Sequence, residues 1–368
     1  MKITNYIGIH LLSFLFCLTV LGCENHSLQL LGKPAYTEEE INFINPADGV
    51  RLAGSLLIPQ GEGPFPAVVL VSGSGPHGRD LLIGSQRIMF ILADHLARNG
   101  IASIRYDKRG CAQSGGYYEP HDIEKFTADA LSAVPYLKTQ KAIDPTQIGA
   151  IGLSQGGMIV PMMAVQSKEI GFIVLLAAPG LGLRGFASVS SIAIARACGF
   201  SENDVERIRE LYDLMWPIYT KPDLSPSEEN EAKRYLAEIA GFMDYESSAL
   251  LNVNDTDGYF AFMRSRHVLG SQHHDPAEVL RNVQCPVLAL TGSKDVQIPA
   301  QDHLPVIERA LIDGGNPDFT VMEMNGMNHI FQKCRSGLPN EYFTRKRAMN
   351  SEVLEHITRW IMNLQDSR

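Results

Sequence analysis

The feature that most constrains this chain is a series of continuous apolar runs, each separated from the next by a stretch of helical period. Residues 66–71, 101–106, 147–152 and 171–177 read as strands buried on both faces. Between them, residues 87–99 place Ile88, Ile91, Leu92 and Leu96 at helical spacing and stop at Gly100. Residues 122–139 and 155–167 are the next helices. Strand and helix alternating in this way predict an α/β protein with a mostly parallel, doubly wound sheet and helices on both faces.

Two segments depart from the alternation. Upstream, residues 41–44 and 51–58 are extended and flank Asn45-Pro46-Ala47-Asp48-Gly49, whose residue types make turns, so an antiparallel hairpin leads into the parallel part. Downstream, the alternation stops near Gly180 and resumes near Asp275. Helical stretches at 188–198, 201–215 and 227–242 fill the gap, the last two with N-cap serines Ser201 and Ser227, and are predicted to form a helical cap insertion. Strand 285–291, helix 301–313, strand 318–324 and helix 351–364 complete the second part of the sheet.

Composition excludes several classes of function. With 32 Lys+Arg against 41 Asp+Glu, the formal charge is -9, so there is no basic surplus for a nucleic-acid partner. The glycine-rich stretch 72–78 lacks the lysine and threonine of a phosphate loop, and no dinucleotide fingerprint occurs. Cys111, Cys198, Cys285 and Cys334 are too widely spaced for a zinc site, and buried free thiols are expected. His273-His274-Asp275 reads as linker, because adjacent histidines point apart and no third ligand is spaced for them. No metal or other cofactor is expected.

Chemistry concentrates at Gly152-Leu153-Ser154-Gln155-Gly156-Gly157, between an apolar strand and a helix. A G-x-S-x-G at such a junction is a nucleophile elbow, in which small residues let the strand turn sharply and expose the Ser154 hydroxyl. A serine needs a histidine to take its proton and a carboxylate to orient that histidine. In chain order the acid and then the histidine should follow late strands. Asp295, in the loop after strand 285–291, and His329, after strand 318–324, meet that order; Asp302, Asp313 and His303 are less well placed. Oxyanion donors are expected from the backbone N–H of Gln155 and, in the glycine-rich loop after the first parallel strand, of Ser74, with Gly73 next. Arg79-Asp80 reads as a structural ion pair, and residues 105–110 as a charge network holding a loop.

Together, Ser72-Gly73-Ser74-Gly75-Pro76 with Arg79-Asp80, Arg105-Tyr106-Asp107-Lys108-Arg109-Gly110, the serine motif, Asp275-Pro276 and residues 285–292 resemble a bacterial group of α/β-hydrolase carboxylesterases related to serine aminopeptidases and acyl thioesterases. The resemblance implies an α/β-hydrolase fold, a Ser154, Asp295, His329 triad and ester hydrolysis. Cys111-Ala112-Gln113-Ser114 departs from the family pattern, which has a glycine in this loop.

At the N-terminus, Lys2 and an apolar run read as an export signal. The run ends in Val20-Leu21-Gly22-Cys23, which resembles the bacterial lipobox and implies that Cys23 is lipidated; an ordinary cleaved signal and an uncleaved anchor are the alternatives. The expected organisation is a signal peptide at 1–22, a tether at 23–37, hydrolase core at 38–183, a cap at 184–274 and core again at 275–368. On this reading the chain is a serine esterase of the cell envelope, acting on a small-molecule ester and held to the membrane by its lipid. The alternatives are a peptidase using Glu228, Glu229 or Asp244 to hold a substrate amine, a thioesterase or acyltransferase, and a non-catalytic binding lipoprotein. Phe242, Met243, Tyr245, Tyr259, Phe260, Phe262 and Met263 line an acyl pocket or form the core of the cap itself.

Overall fold

The computed structural model describes residues 35–119, 122–241, 255–265, 274–343 and 349–366. The expected signal, Cys23 and most of the tether lie outside the described residues, as do Phe242, Met243, Asp244, Tyr245 and His273.

The predicted hairpin is β1 (Tyr36–Ile44) against β2 (Arg51–Pro59), antiparallel from Tyr36 opposite Pro59 to Ile44 opposite Arg51. The apolar runs become β3 (Phe65–Val71), β6 (Ala102–Tyr106), β7 (Ile143–Leu153) and β8 (Ile173–Leu176), and the late strands are β9 (Val287–Gly292) and β10 (Phe319–Met324). A short hairpin that the sequence reading missed, β4 (Leu82–Ile83) with β5 (Gln86–Arg87), stands apart from the sheet. The main sheet has eight strands in the order β1-β2-β6-β3-β7-β8-β9-β10, and every pairing from β6 to β10 is parallel. The chain therefore builds outward from β3 in both directions. The carboxyl ends of β3, β6 and β7 meet at this switch point, which is where open α/β sheets bind ligands.

Both faces are covered, as continuous apolar strands require. Ala67, Val69 and Val71 of β3 pack with α2 (Ile123–Lys138), α3 (Gly156–Gln166), α8 (Pro276–Leu280) and α9 (Ala300–Asp313). Val68 and Leu70 point the other way, into α1 (Ile88–Arg98) and α10 (Ser351–Asp366).

Between β8 and β9 the described chain is helical: α4 (Leu183–Ala197), α5 (Glu202–Thr220), α6 (Pro226–Gly241) and α7 (Thr256–Met263). Helix α4 begins before the expected position 188. Ser201 caps α5 as read from sequence, its Oγ accepting from Asp204 N–H at 3.2 Å. The expected cap Ser227 lies inside α6; Ser225 serves instead, accepting from Glu228 N–H at 3.4 Å, with Pro226 filling the first turn where no N–H is needed. These helices form a core of their own around Val205, Ile208, Leu211, Met215, Leu236 and Ile239. Phe260 and Met263 are buried in it and Tyr259 packs against it, whereas Phe262 is exposed.

Candidate active site

Strand β7 ends at Leu153, and Ser154 takes a left-handed φ of 55° before α3 starts at Gly156. A non-glycine residue in that region is strained, and such strain persists only where its surroundings enforce it. Here the Ser154 N–H is tied to Leu176 O at 2.8 Å, and its carbonyl accepts from Gly157 N–H at 2.8 Å. Two glycines make the bend possible. A Cβ at Gly152 would lie 2.1 Å from Gly156 O, and one at Gly156 would lie 2.2 Å from Val71 O, so neither position accepts a side chain.

Asp295 and His329 come together as expected. His329 Nδ1 lies 2.8 Å from Asp295 Oδ2, and both residues are buried. The other carboxylate oxygen, Oδ1, accepts from Gln297 N–H and Ile298 N–H, each at 2.8 Å, which fixes the carboxylate in place. A carboxylate facing Nδ1 places the proton there and leaves Nε2 as an acceptor. Asn328, which the sequence reading did not single out, holds the histidine loop: its Oδ1 accepts from Gln332 N–H at 2.9 Å and its Nδ2 donates to Gln332 Oε1 at 3.1 Å. Ser154 Oγ makes no hydrogen bond among the described residues. Such contacts commonly tighten only when substrate is bound.

The loop after β3 passes against the serine, since a Cβ at Gly73 would lie 3.3 Å from Ser154 Cβ and 3.8 Å from its Oγ. Neither the Ser74 N–H nor the Gln155 N–H donates to a protein acceptor among the described residues. Neighbouring groups of the loop are, by contrast, tied down. Gly75 N–H donates to Tyr118 Oη at 3.0 Å, His77 Nε2 meets Ser74 O at 2.5 Å, and Lys108 Nζ donates to Gly73 O at 2.5 Å. Burial, followed by the Lys108 charge, pulls the His77 pKa down. Burial lowers Lys108 itself to about 7 and raises Tyr118 to about 12.

The charged residues around this loop divide differently from the expectation. Arg79 and Asp80 do not pair with each other. Arg79 bridges Asp107 (2.9 Å) and Glu40, while Asp80 takes Arg105 (2.8 Å) and Arg87 (2.6 Å). Arg109 is buried against Asp129 at 2.6 Å and also reaches Asp48. The charge network read at residues 105–110 is thus present through Arg105, Asp107 and Arg109, but Lys108 has no carboxylate partner among the described residues. In the departing loop, Ala112 adopts a φ of 45°, the conformation that glycine takes at lowest cost.

The less favoured candidates have other partners. His303 Nδ1 accepts from Gly180 N–H at 3.0 Å, and burial lowers its pKa to about 4. Asp313 pairs with Arg309. His274 pairs with Glu124 and Asp275 caps α8, and no group of three or more metal-ligating side chains occurs among the described residues. None of the four cysteines forms a disulfide among the described residues, and of the four only Cys111 is buried, against the expectation of buried thiols.

A nucleophile elbow at the switch point of a mostly parallel sheet, with an acid and a histidine after later strands, defines an α/β-hydrolase fold. The Peptidase S15 model, described as X-Pro dipeptidyl-peptidase, matches residues 48–302, and the chain belongs to that family. An esterase named EstD from Thermotoga maritima is 27% identical over 315 residues, covering 84% of this chain and 65% of the esterase, so the chain spans less than two thirds of that relative. Among solved structures, an esterase of Pyrococcus furiosus superposes with a TM-score of 0.53 at 14% identity, covering 90% of this chain and 96% of its own. A proline iminopeptidase of Mycobacterium smegmatis gives 0.52 at 14% identity, covering 88% and 98%. At such identities these two likenesses speak to the fold alone.

Proposed function

We propose that this chain is an exported serine hydrolase that cleaves carboxylic esters through an acyl-enzyme. The observation that carries the reading is an elbow serine held at a left-handed φ at the end of β7, together with a histidine oriented by a buried carboxylate in the loops after later strands. Ser154 Oγ attacks the ester carbonyl carbon while His329 Nε2 takes its proton, and the Asp295 carboxylate stabilises the imidazolium that results. Charge developing on the carbonyl oxygen is met by the N–H groups of Ser74 and Gln155. Collapse expels the alcohol, which takes the proton from His329. Water, activated by the same nitrogen, then releases the acid and restores Ser154. The esterase EstD supports an ester substrate. Export and lipid attachment at Cys23 rest on the N-terminal sequence.

Family membership gives a peptidase a place as second reading. Two of the carboxylates proposed to hold a substrate amine are otherwise engaged, because Glu228 pairs with Lys221 and accepts from Ser225, and Glu229 pairs with Lys233. A panel of p-nitrophenyl esters of graded acyl length, run beside Xaa-Pro and aminoacyl arylamides, separates the readings. Turnover of esters with no arylamide cleavage is expected, and the reverse would replace the esterase by a peptidase. Ser154→Ala should reduce ester turnover to background and abolish fluorophosphonate labelling; surviving turnover would mean another nucleophile.

A further inference from the structure

We propose that Lys108 is a positioning residue of the oxyanion hole, fixing both segments whose N–H groups receive the substrate oxygen; the inference rests on the serine-hydrolase reading above. Lys108 is 4% exposed. Its Nζ donates to Gly73 O at 2.5 Å and to Gln155 Oε1 at 3.0 Å, and lies 5.0 Å from the centre of the Phe126 ring and 5.9 Å from that of Tyr118. One side chain from the end of β6 thus touches the loop after β3 and the residue that follows Ser154.

The geometry of the peptide unit turns this contact into a function. Gly73 C=O and Ser74 N–H belong to one planar trans peptide, so they point in opposite directions. Holding the carbonyl at Lys108 turns the Ser74 N–H away from the lysine, and that N–H is the one left without a protein acceptor. The next peptide is held as well, its Ser74 carbonyl by His77 Nε2 and its Gly75 N–H by Tyr118 Oη, so the chain on the far side of the Gly73–Ser74 plane is fixed too. Hydrogen bonding at a carbonyl also polarises its peptide and makes the N–H a better donor. On the other segment, Lys108 holds only the Gln155 side chain and leaves its backbone N–H free for the substrate.

A lysine whose role is only to complete the fold would stabilise the protein and leave the transition state alone. The test therefore separates the two. Lys108→Met keeps the volume and removes the donors. Removal of one oxyanion donor costs about 100-fold or more in kcat, so Lys108→Met is expected to lose about 100-fold in kcat with KM little changed, and Lys108→Gln, which retains an N–H for Gly73 O, to lose less. A trifluoromethyl ketone that forms an oxyanion adduct with Ser154 should weaken by about the same factor as kcat, whereas the amide analogue of the ester, which forms no adduct, should bind as before. A folded Lys108→Met variant within about twofold of wild-type kcat, or parallel weakening of ketone and amide, would overturn the proposal. Should Lys108→Met not fold, Gln155→Leu reads the same device from its other end by removing one acceptor while keeping the backbone N–H; unchanged kcat there would equally overturn it. Failure of the wild type to label at Ser154 would instead remove the underlying serine-hydrolase reading.

Discussion

Asp295 illustrates how little freedom the candidate site leaves a single side chain. Its Oδ1 is committed to two backbone N–H groups and its Oδ2 to His329. In Asp295→Asn the remaining oxygen must stay with those N–H groups, so the new amide NH2 faces Nδ1 and drives the ring to the wrong tautomer. A loss of about 10,000-fold in kcat is expected, the size seen for such a change in another triad, with KM nearly unchanged and the fold intact by circular dichroism. At this scale the sequence was informative where spacing along the chain carries the signal: the elbow, the acid and the histidine occur in the required order after the required strands. It was silent on Asn328 and His77, and it put Lys108 in a charge network. Their roles come from contacts between segments far apart in sequence, and a lysine lying between two residues that do form ion pairs reads as one more member of their network.

The elements were legible wherever period and caps agreed. Asp122 and Ser201 each accept from the first turn of the helix they precede. The β4–β5 hairpin and helices α7 and α8 are too short for periodicity to register them. The way α4 attaches was equally invisible. Ser190 of that helix donates to Gln297 O at 2.5 Å, in the loop that carries Asp295, while His303 of α9 receives the Gly180 N–H just before α4 begins. The latter contact needs a neutral ring, since a proton on Nδ1 removes the acceptor. A ring with a pKa of about 4 when folded and about 6.5 when unfolded makes the unfolded state bind more protons between those values, so stability is lost as pH falls from 6.5 towards 4. At pH 4.5 this amounts to about 2 kcal/mol. Urea midpoints of wild type and His303→Leu, measured at pH 7 and pH 4.5, should show the variant weaker at pH 7 yet less sensitive to the drop.

At the scale of the whole molecule, strand pairing among the described residues begins at Tyr36, opposite Pro59. No described helix is long and apolar enough to cross a membrane. If the lipid is the attachment, Cys23→Ala should shift the protein from the membrane to the soluble fraction of a bacterial host with the kcat of ester turnover unchanged, as read by fractionation and a p-nitrophenyl ester assay. Retention in the membrane fraction would point to another anchor. The insertion has a wider consequence. Ser154 precedes it and Asp295 and His329 follow it, yet the sheet is rejoined by direct pairing of Ile173 with Val287 through Leu176 with Leu290. Closing a longer loop adds only about 0.6 kcal/mol for each doubling of its length. The stretch between α4 and α8 can therefore be lengthened, shortened or exchanged for another at little cost in loop closure, so descendants of this scaffold are free to change what they bind while inheriting the reacting groups intact.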